Sequence, residues 1–111
     1  MLILLEGTMI DVIRLHREKL QALCRDFHVR RLELFGSAAR GDFDPAHSDF
    51  DFLVEFDPAH PDAFSLKIYF GFKDSLEALL GHPVDLVEPS AVRNPYLKAS
   101  IESSRVSVFE A

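Results

Sequence analysis

The segment Asp49-Phe50-Asp51-Phe52-Leu53-Val54-Glu55-Phe56 limits the possible folds more than any other stretch of the chain. In an extended strand successive side chains point to opposite faces. Phe50, Phe52, Val54 and Phe56 therefore share one side, and Asp49, Asp51, Leu53 and Glu55 share the other. The aromatic row requires a core behind it. Two carboxylates then stand two residues apart on the opposite face. At about 5 Å and an effective dielectric of 20, two such charges repel by about 3 kcal/mol. A strand with this face is either solvated there or meets a cation.

The residues just upstream favour the cation. Leu32-Glu33-Leu34-Phe35 reads as a strand, and Gly36-Ser37 ends it in a turn with free backbone N–H groups and a hydroxyl. A helix starting at that turn adds the positive end of its dipole, which suits a phosphate. Paired carboxylates suit Mg²⁺, which one or two acids hold together with substrate phosphates. The competing account is a polar edge strand beside a surface turn, and Asp-x-Asp alone is too short a signal to decide. The Gly-Ser turn, Arg40-Gly41 and the strand context together favour a site.

Gly36-Ser37, Arg40-Gly41, Ser48-Asp49-x-Asp51 and the following Leu53-Val54-Glu55-Phe56 resemble the signature of the minimal nucleotidyltransferase (MNT) family. That family lies within the DNA polymerase beta-like nucleotidyltransferase superfamily, and the similarity extends over most of the chain. One departure is small. Eleven residues, Ala38 to Ser48, separate Ser37 from Asp49, one more than the commonest family spacing. The extra residue falls in the polar loop Asp42 to His47, where insertions are cheap.

The length of 111 residues allows one domain, 1–111, with a modest core. A formal net charge of −6 disfavours DNA as a partner, because non-specific nucleic-acid binding needs clustered Lys and Arg. It leaves a nucleotide ligand open, since Mg²⁺ neutralises local charge. The single cysteine, Cys24, forms no internal disulfide, which fits a reducing cytoplasm. Met1 to Leu5 is too short to span a membrane and lacks the basic start of a signal peptide. It is a short leading strand or a tail, and Met9 is an alternative start.

The periodicity predicts a helix from Met9 to about Phe27, with Ile10, Ile13, Leu20, Leu23 and Phe27 inward and Thr8 or Asp11 at its N-terminal end. Cys24 is expected as a small core residue, and His16 and His28 as surface residues. The loop acids Asp42 and Asp44, with His47, lack the glycine and terminal Glu of an EF-hand. Asp57-Pro58 and His60-Pro61 break regular structure. A second helix is expected over Asp62–Leu80, with the stripe Phe64, Ile68, Phe72, Leu76, Leu79 and Leu80, ended by Gly81 and Pro83. The stripe reads as core, with Tyr69 or Phe72 as an alternative platform for a base.

Val84 to Glu88 is a short strand carrying an acid, which strands disfavour. If it pairs beside the Asp49/Asp51 strand, Asp85 completes a carboxylate trio. Otherwise Asp85 is an edge-strand acid in solvent. Asn94-Pro95 opens a final helix with Tyr96, Leu97 and Ile101 on its apolar side. Arg105 to Phe109 is a final strand or an extended tail. The fold class is α+β: a small mixed sheet of Leu32–Phe35, Phe50–Phe56 and Val84–Glu88, with helices packed against it.

The MNT resemblance implies nucleotidyl transfer with ATP as donor. Gly36 and Ser37 would hold the β- and γ-phosphates. Asp49, Asp51 and Asp85 would be the catalytic carboxylates and would hold two Mg²⁺ ions. Arg40 would neutralise charge on the leaving phosphates, or pair structurally with Asp42 or Asp44. The family further implies a bacterial or archaeal toxin–antitoxin pair, in which the MNT antitoxin transfers AMP to a tyrosine of a partner HEPN ribonuclease toxin. Two rivals stand beside it: an antitoxin that neutralises its partner by binding alone, and a transferase for a small hydroxyl compound such as an aminoglycoside.

Overall fold

The computed structural model describes residues 9–42, 44, 46 and 48–111, and the side chains from Asp11 onward among them. The leading strand or tail over Met1–Leu5, the capping role of Thr8, the inward position of Ile10 and the loop residue His47 lie outside what is described.

Among the described residues four strands form one mixed sheet: β1 (Val29–Phe35), β2 (Phe50–Phe56), β3 (Val84–Val87) and β4 (Val106–Glu110). Their spatial order is β3-β2-β1-β4. β1 runs antiparallel to both β2 and β4, and β2 runs parallel to β3. Parallel neighbours need a crossover connection, and helix α4 (Leu66–Leu80) supplies it. The remaining helices are α1 (Met9–Leu15), α2 (Arg17–Asp26), the single turn α3 (Ser37–Arg40) and α5 (Pro95–Ser104). Among the described residues no helix is long and apolar enough to cross a membrane.

The predicted alternation of β2 sets up two cores. Phe50, Phe52, Val54 and Phe56 enter the larger one, with Leu20 and Cys24 of α2 and Phe72, Leu76 and Leu80 of α4. Phe50, Phe52 and Phe72 are fully buried, each contributing about 1.5–3 kcal/mol by leaving water. Leu53, on the opposite face, packs with Phe35 and Ile101 under α5, against Val87, Val92 and Leu97. Cys24 is a core residue as expected, and burial pushes its thiol up to about 12, so it holds its proton.

Several boundaries differ from those the sequence predicts. The first helix divides at His16, where the backbone turns to ψ 15°. The break falls within Arg14–Lys19, where no side chain reaches the core to carry a continuous stripe. The second long helix starts at Leu66, not Asp62, because the Ser65 hydroxyl accepts from the Lys67 N–H and caps it. Residues 60–65 form turns instead, through Ala63 N to His60 O and Ser65 N to Asp62 O. Phe64 therefore leaves the stripe and stands 84% exposed. Phe72 is too deeply buried for the platform role. In α5 the Asn94 cap and Pro95 start hold as expected. Tyr96, however, is 85% exposed and leaves the apolar side to Leu97 and Ile101. The segment after α5 is a true strand, placed on the far side of β1. His28 adopts φ 60° and stacks on His60 at 3.5 Å between ring centroids.

Candidate active site

The three acids come together at one end of the sheet. Asp51 is the second residue of β2, and its register partners are Phe35 on β1 and Asp85 on the parallel strand β3. Equal register puts the Asp51 and Asp85 side chains on the same face. Asp49 lies one residue before β2 and is exposed. A bonded loop delivers it: Ser48 N donates to Asp44 O at 2.7 Å, and Asp44 N donates to Ser48 Oγ at 2.9 Å.

The Gly36-Ser37 turn meets the acids because of that register. Phe35 stands opposite Asp51, so the residue after it passes over the Asp51 carboxylate. Gly36 has φ 76°, a left-handed conformation that costs a residue with a Cβ about 1–2 kcal/mol. Space is equally strict, since a Cβ built at Gly36 would collide with Asp51 Oδ2. Chain direction and side-chain crowding thus require glycine independently. Ser37 opens α3, and the Ser37 and Ala38 amides lie ahead of the first bonds of the turn, which Ala39 and Arg40 make to Gly36 O.

Electrostatics confirm that the groups are neighbours. Burial pushes the Asp51 carboxyl up to about 6, the charges of Asp85 and Asp49 add to the rise, and Arg40 opposes it. Arg40 also pairs with Asp42 at 3.5 Å. Both partners are well exposed, and such a pair contributes about 0–1 kcal/mol. The structural pairing and the influence on Asp51 therefore coexist in Arg40.

Carboxylate oxygens are the donors that Mg²⁺ prefers. This ion takes one or two acids and completes its shell with water and substrate phosphates. Among the described residues no group of three His, Cys, Asp or Glu side chains is placed to hold a metal ion by itself. An open, mutually repelling set of acids beside a backbone turn fits an ion that arrives with nucleotide phosphates.

Three supporting residues were not legible as such. The Ser104 hydroxyl, at the end of α5, accepts from the Gly36 N–H at 3.0 Å and donates to Ser100 O at 2.6 Å. Tyr69 donates to Leu86 O at 2.6 Å, and Glu77 accepts from the Val84 N–H at 2.9 Å. They act on backbone groups 68, 17 and 7 residues away, for which no local spacing rule exists. The i, i+4, i+8 row of Tyr69, Lys73 and Glu77 was the available signal, since those positions share one helix face.

Known proteins resemble this chain in sequence and in fold. A family model described as a nucleotidyltransferase domain matches residues 16–108. A protein of Methanocaldococcus jannaschii named as a protein adenylyltransferase, MJ1379, is 37% identical over 98 residues, covering 88% of this chain and 92% of its own. A solved minimal nucleotidyltransferase superposes with a TM-score of 0.70 at 30% identity, covering 90% of this chain and 95% of that one. The MNT antitoxin solved in complex with the tri-AMPylated HEPN toxin of Shewanella oneidensis superposes with a TM-score of 0.60. At 20% identity, over 89% of this chain and 73% of that one, it shares the fold.

Proposed function

The chain belongs to the nucleotidyltransferase domain family, and from that premise we propose that it is a Mg²⁺-dependent protein adenylyltransferase serving as the antitoxin of a HEPN toxin. One observation carries the reading: Asp49, Asp51 and Asp85 gather from β2 and β3 against a turn in which only glycine fits over Asp51. The named relative supports protein as the acceptor. The structural neighbour, with its AMP-modified HEPN partner, supports that partner class.

In this reading Asp49, Asp51 and Asp85 hold Mg²⁺, which supplies Lewis-acid stabilisation of the phosphate charge when bound. Ser37 takes the β- and γ-phosphates of ATP through its backbone N–H and hydroxyl, while Gly36, whose own N–H is held by Ser104 and is not free as the sequence suggests, lets the turn pass close to Asp51. Arg40 adds positive charge beside the leaving pyrophosphate. Asp85, exposed on the edge strand, faces the acceptor and takes the proton of a tyrosine hydroxyl. The phenolic oxygen then bonds to the α-phosphorus, the bond to the β-phosphate oxygen breaks, and pyrophosphate departs with the electron pair.

Intact mass spectrometry of the neighbouring gene's HEPN product, co-expressed with this chain, tests the proposal. We expect a mass increase of one or more AMP units with the unsubstituted chain and none with Asp51→Asn. Equal increases with both would overturn the role of the carboxylates. A stable complex without any increase would establish neutralisation by binding instead.

A further inference from the structure

Asp85 presents a mechanical problem. Its strand, β3, has four residues and lies at the edge of the sheet, bonded to β2 alone. Backbone groups on a strand point alternately toward and away from the neighbouring strand. Pro83 O accepts from Phe50 N at 2.9 Å, so it points toward β2. The Val84 N–H and the Leu86 C=O therefore point outward, one on each side of Asp85. An edge of this kind is normally left to water and is free to fray or to pair with another chain.

Here two of the outward groups, one on each side of Asp85, are taken, and by one helix. Glu77 Oε2 accepts from the Val84 N–H at 2.9 Å, and the Tyr69 hydroxyl donates to Leu86 O at 2.6 Å. Tyr69 and Glu77 are eight residues apart on α4 and share its face with Lys73 between them. Lys73 Nζ reaches the same Glu77 Oε2 at 3.4 Å. The Val84 N–H is also the chief reason that the Glu77 carboxyl is held below the usual carboxylate range, with Lys73 assisting. An acceptor and a donor, spaced to match, thus meet a donor and an acceptor flanking one acid. Protection of a bare edge requires only something polar, whereas matched contacts on both sides of Asp85 also fix where its Cα stands.

We infer that Tyr69 and Glu77 are positioning residues that clamp the outer edge of β3 and so set the Asp85 carboxylate opposite Asp51. This rests on the proposed reading of the acids as ion ligands. Asp85 itself is exposed, so its place is set chiefly by its backbone. Val84 and Leu86 anchor one face of β3 in the larger core, and slack at its outer edge moves Asp85 away from the ion.

The test uses the full chain with Tyr69→Phe, Glu77→Ala and Glu77→Gln. Tyr69→Phe keeps the ring and removes the donor. Glu77→Ala removes the acceptor, and Glu77→Gln keeps an acceptor oxygen without the charge. Two readouts are independent of turnover: amide exchange across residues 84–88, and Mn²⁺ affinity by calorimetry. Tyr69→Phe and Glu77→Ala are expected to speed exchange and to weaken Mn²⁺ binding by about three- to tenfold, the worth of one net hydrogen bond. AMP transfer should lose kcat with the KM for ATP unchanged, and Glu77→Gln should recover most of each loss. Faster exchange with unaltered Mn²⁺ affinity would reduce the clamp to edge protection and overturn the inference. A Glu77→Gln variant as impaired as Glu77→Ala would overturn it too. An unsubstituted chain that binds no Mn²⁺ would overturn the proposed function instead, and the inference would fall with it. That failure is read on the unsubstituted chain alone.

Discussion

At Gly36 two constraints act on one atom that is not there. A side chain would strain the backbone at φ 76° and would press on the carboxylate of Asp51. Gly36→Ala should therefore cost about 1–2 kcal/mol of stability from conformation alone. It should also lower transfer by about a hundredfold, since displacement of a catalytic group by about 1 Å has that effect. Thermal unfolding and AMP transfer measured together check both parts. Asp51 is uncomfortable in its own site, with a carboxyl pushed up to about 6 by burial and by Asp85 and Asp49. A raised carboxylate pKa favours the folded state below its ordinary value and loses that advantage as pH climbs through the folded one. Without metal, Asp51→Asn should thus stabilise the chain at pH 8, by about 1 kcal/mol after allowance for solvent screening, and by nearly nothing at pH 4. Equal effects in unfolding curves at the two pH values would contradict the burial argument. The shared face of Asp51 and Asp85 was legible at this scale because both sit on strands whose alternation is strong. Ser104 was not, because its hydroxyl answers an amide that the fold, and not the local sequence, brings to it.

At the scale of elements, legibility followed whether an element buries a periodic row. β2 does so on both faces and appears as predicted. α4 buries Phe72, Leu76 and Leu80, and its end at Gly81 was readable from a residue that accepts φ 70°. Its start was not, because Asp62 and Ser65 are both good caps and the choice depends on the turns over 60–65. β4 was ambiguous between strand and tail because three of its five residues are exposed and its partner β1 is remote in sequence. Helix α4 also comes close to the segment after α2. A Cβ on Gly71 would stand 2.8 Å from Phe27 Cε1, and that ring packs on Phe72 at 5.7 Å between centroids. Gly71→Val should therefore overpack this contact and cost about 1–3 kcal/mol. A midpoint equal to that of the unsubstituted chain in denaturant unfolding would show that the ring gives way freely.

Taken whole, the molecule is a four-stranded sheet with a large core on one face and a small one on the other. The proposed chemistry sits at the end where β1 turns, β2 begins and β3 runs parallel beside it. Fold class and the acids were readable because both follow from alternation along single segments. The order β3-β2-β1-β4 was not fully readable, since pairing across the sheet is settled by which faces must be covered. The bond between Gly36 and Ser104 joins residues 68 apart in the chain. A ribosome makes the turn long before it makes the hydroxyl that holds it. A nascent chain that has already released all three acids still lacks this support, and β1 still lacks its outer neighbour. Full order at the turn therefore arrives late in synthesis, after α5 has emerged and docked.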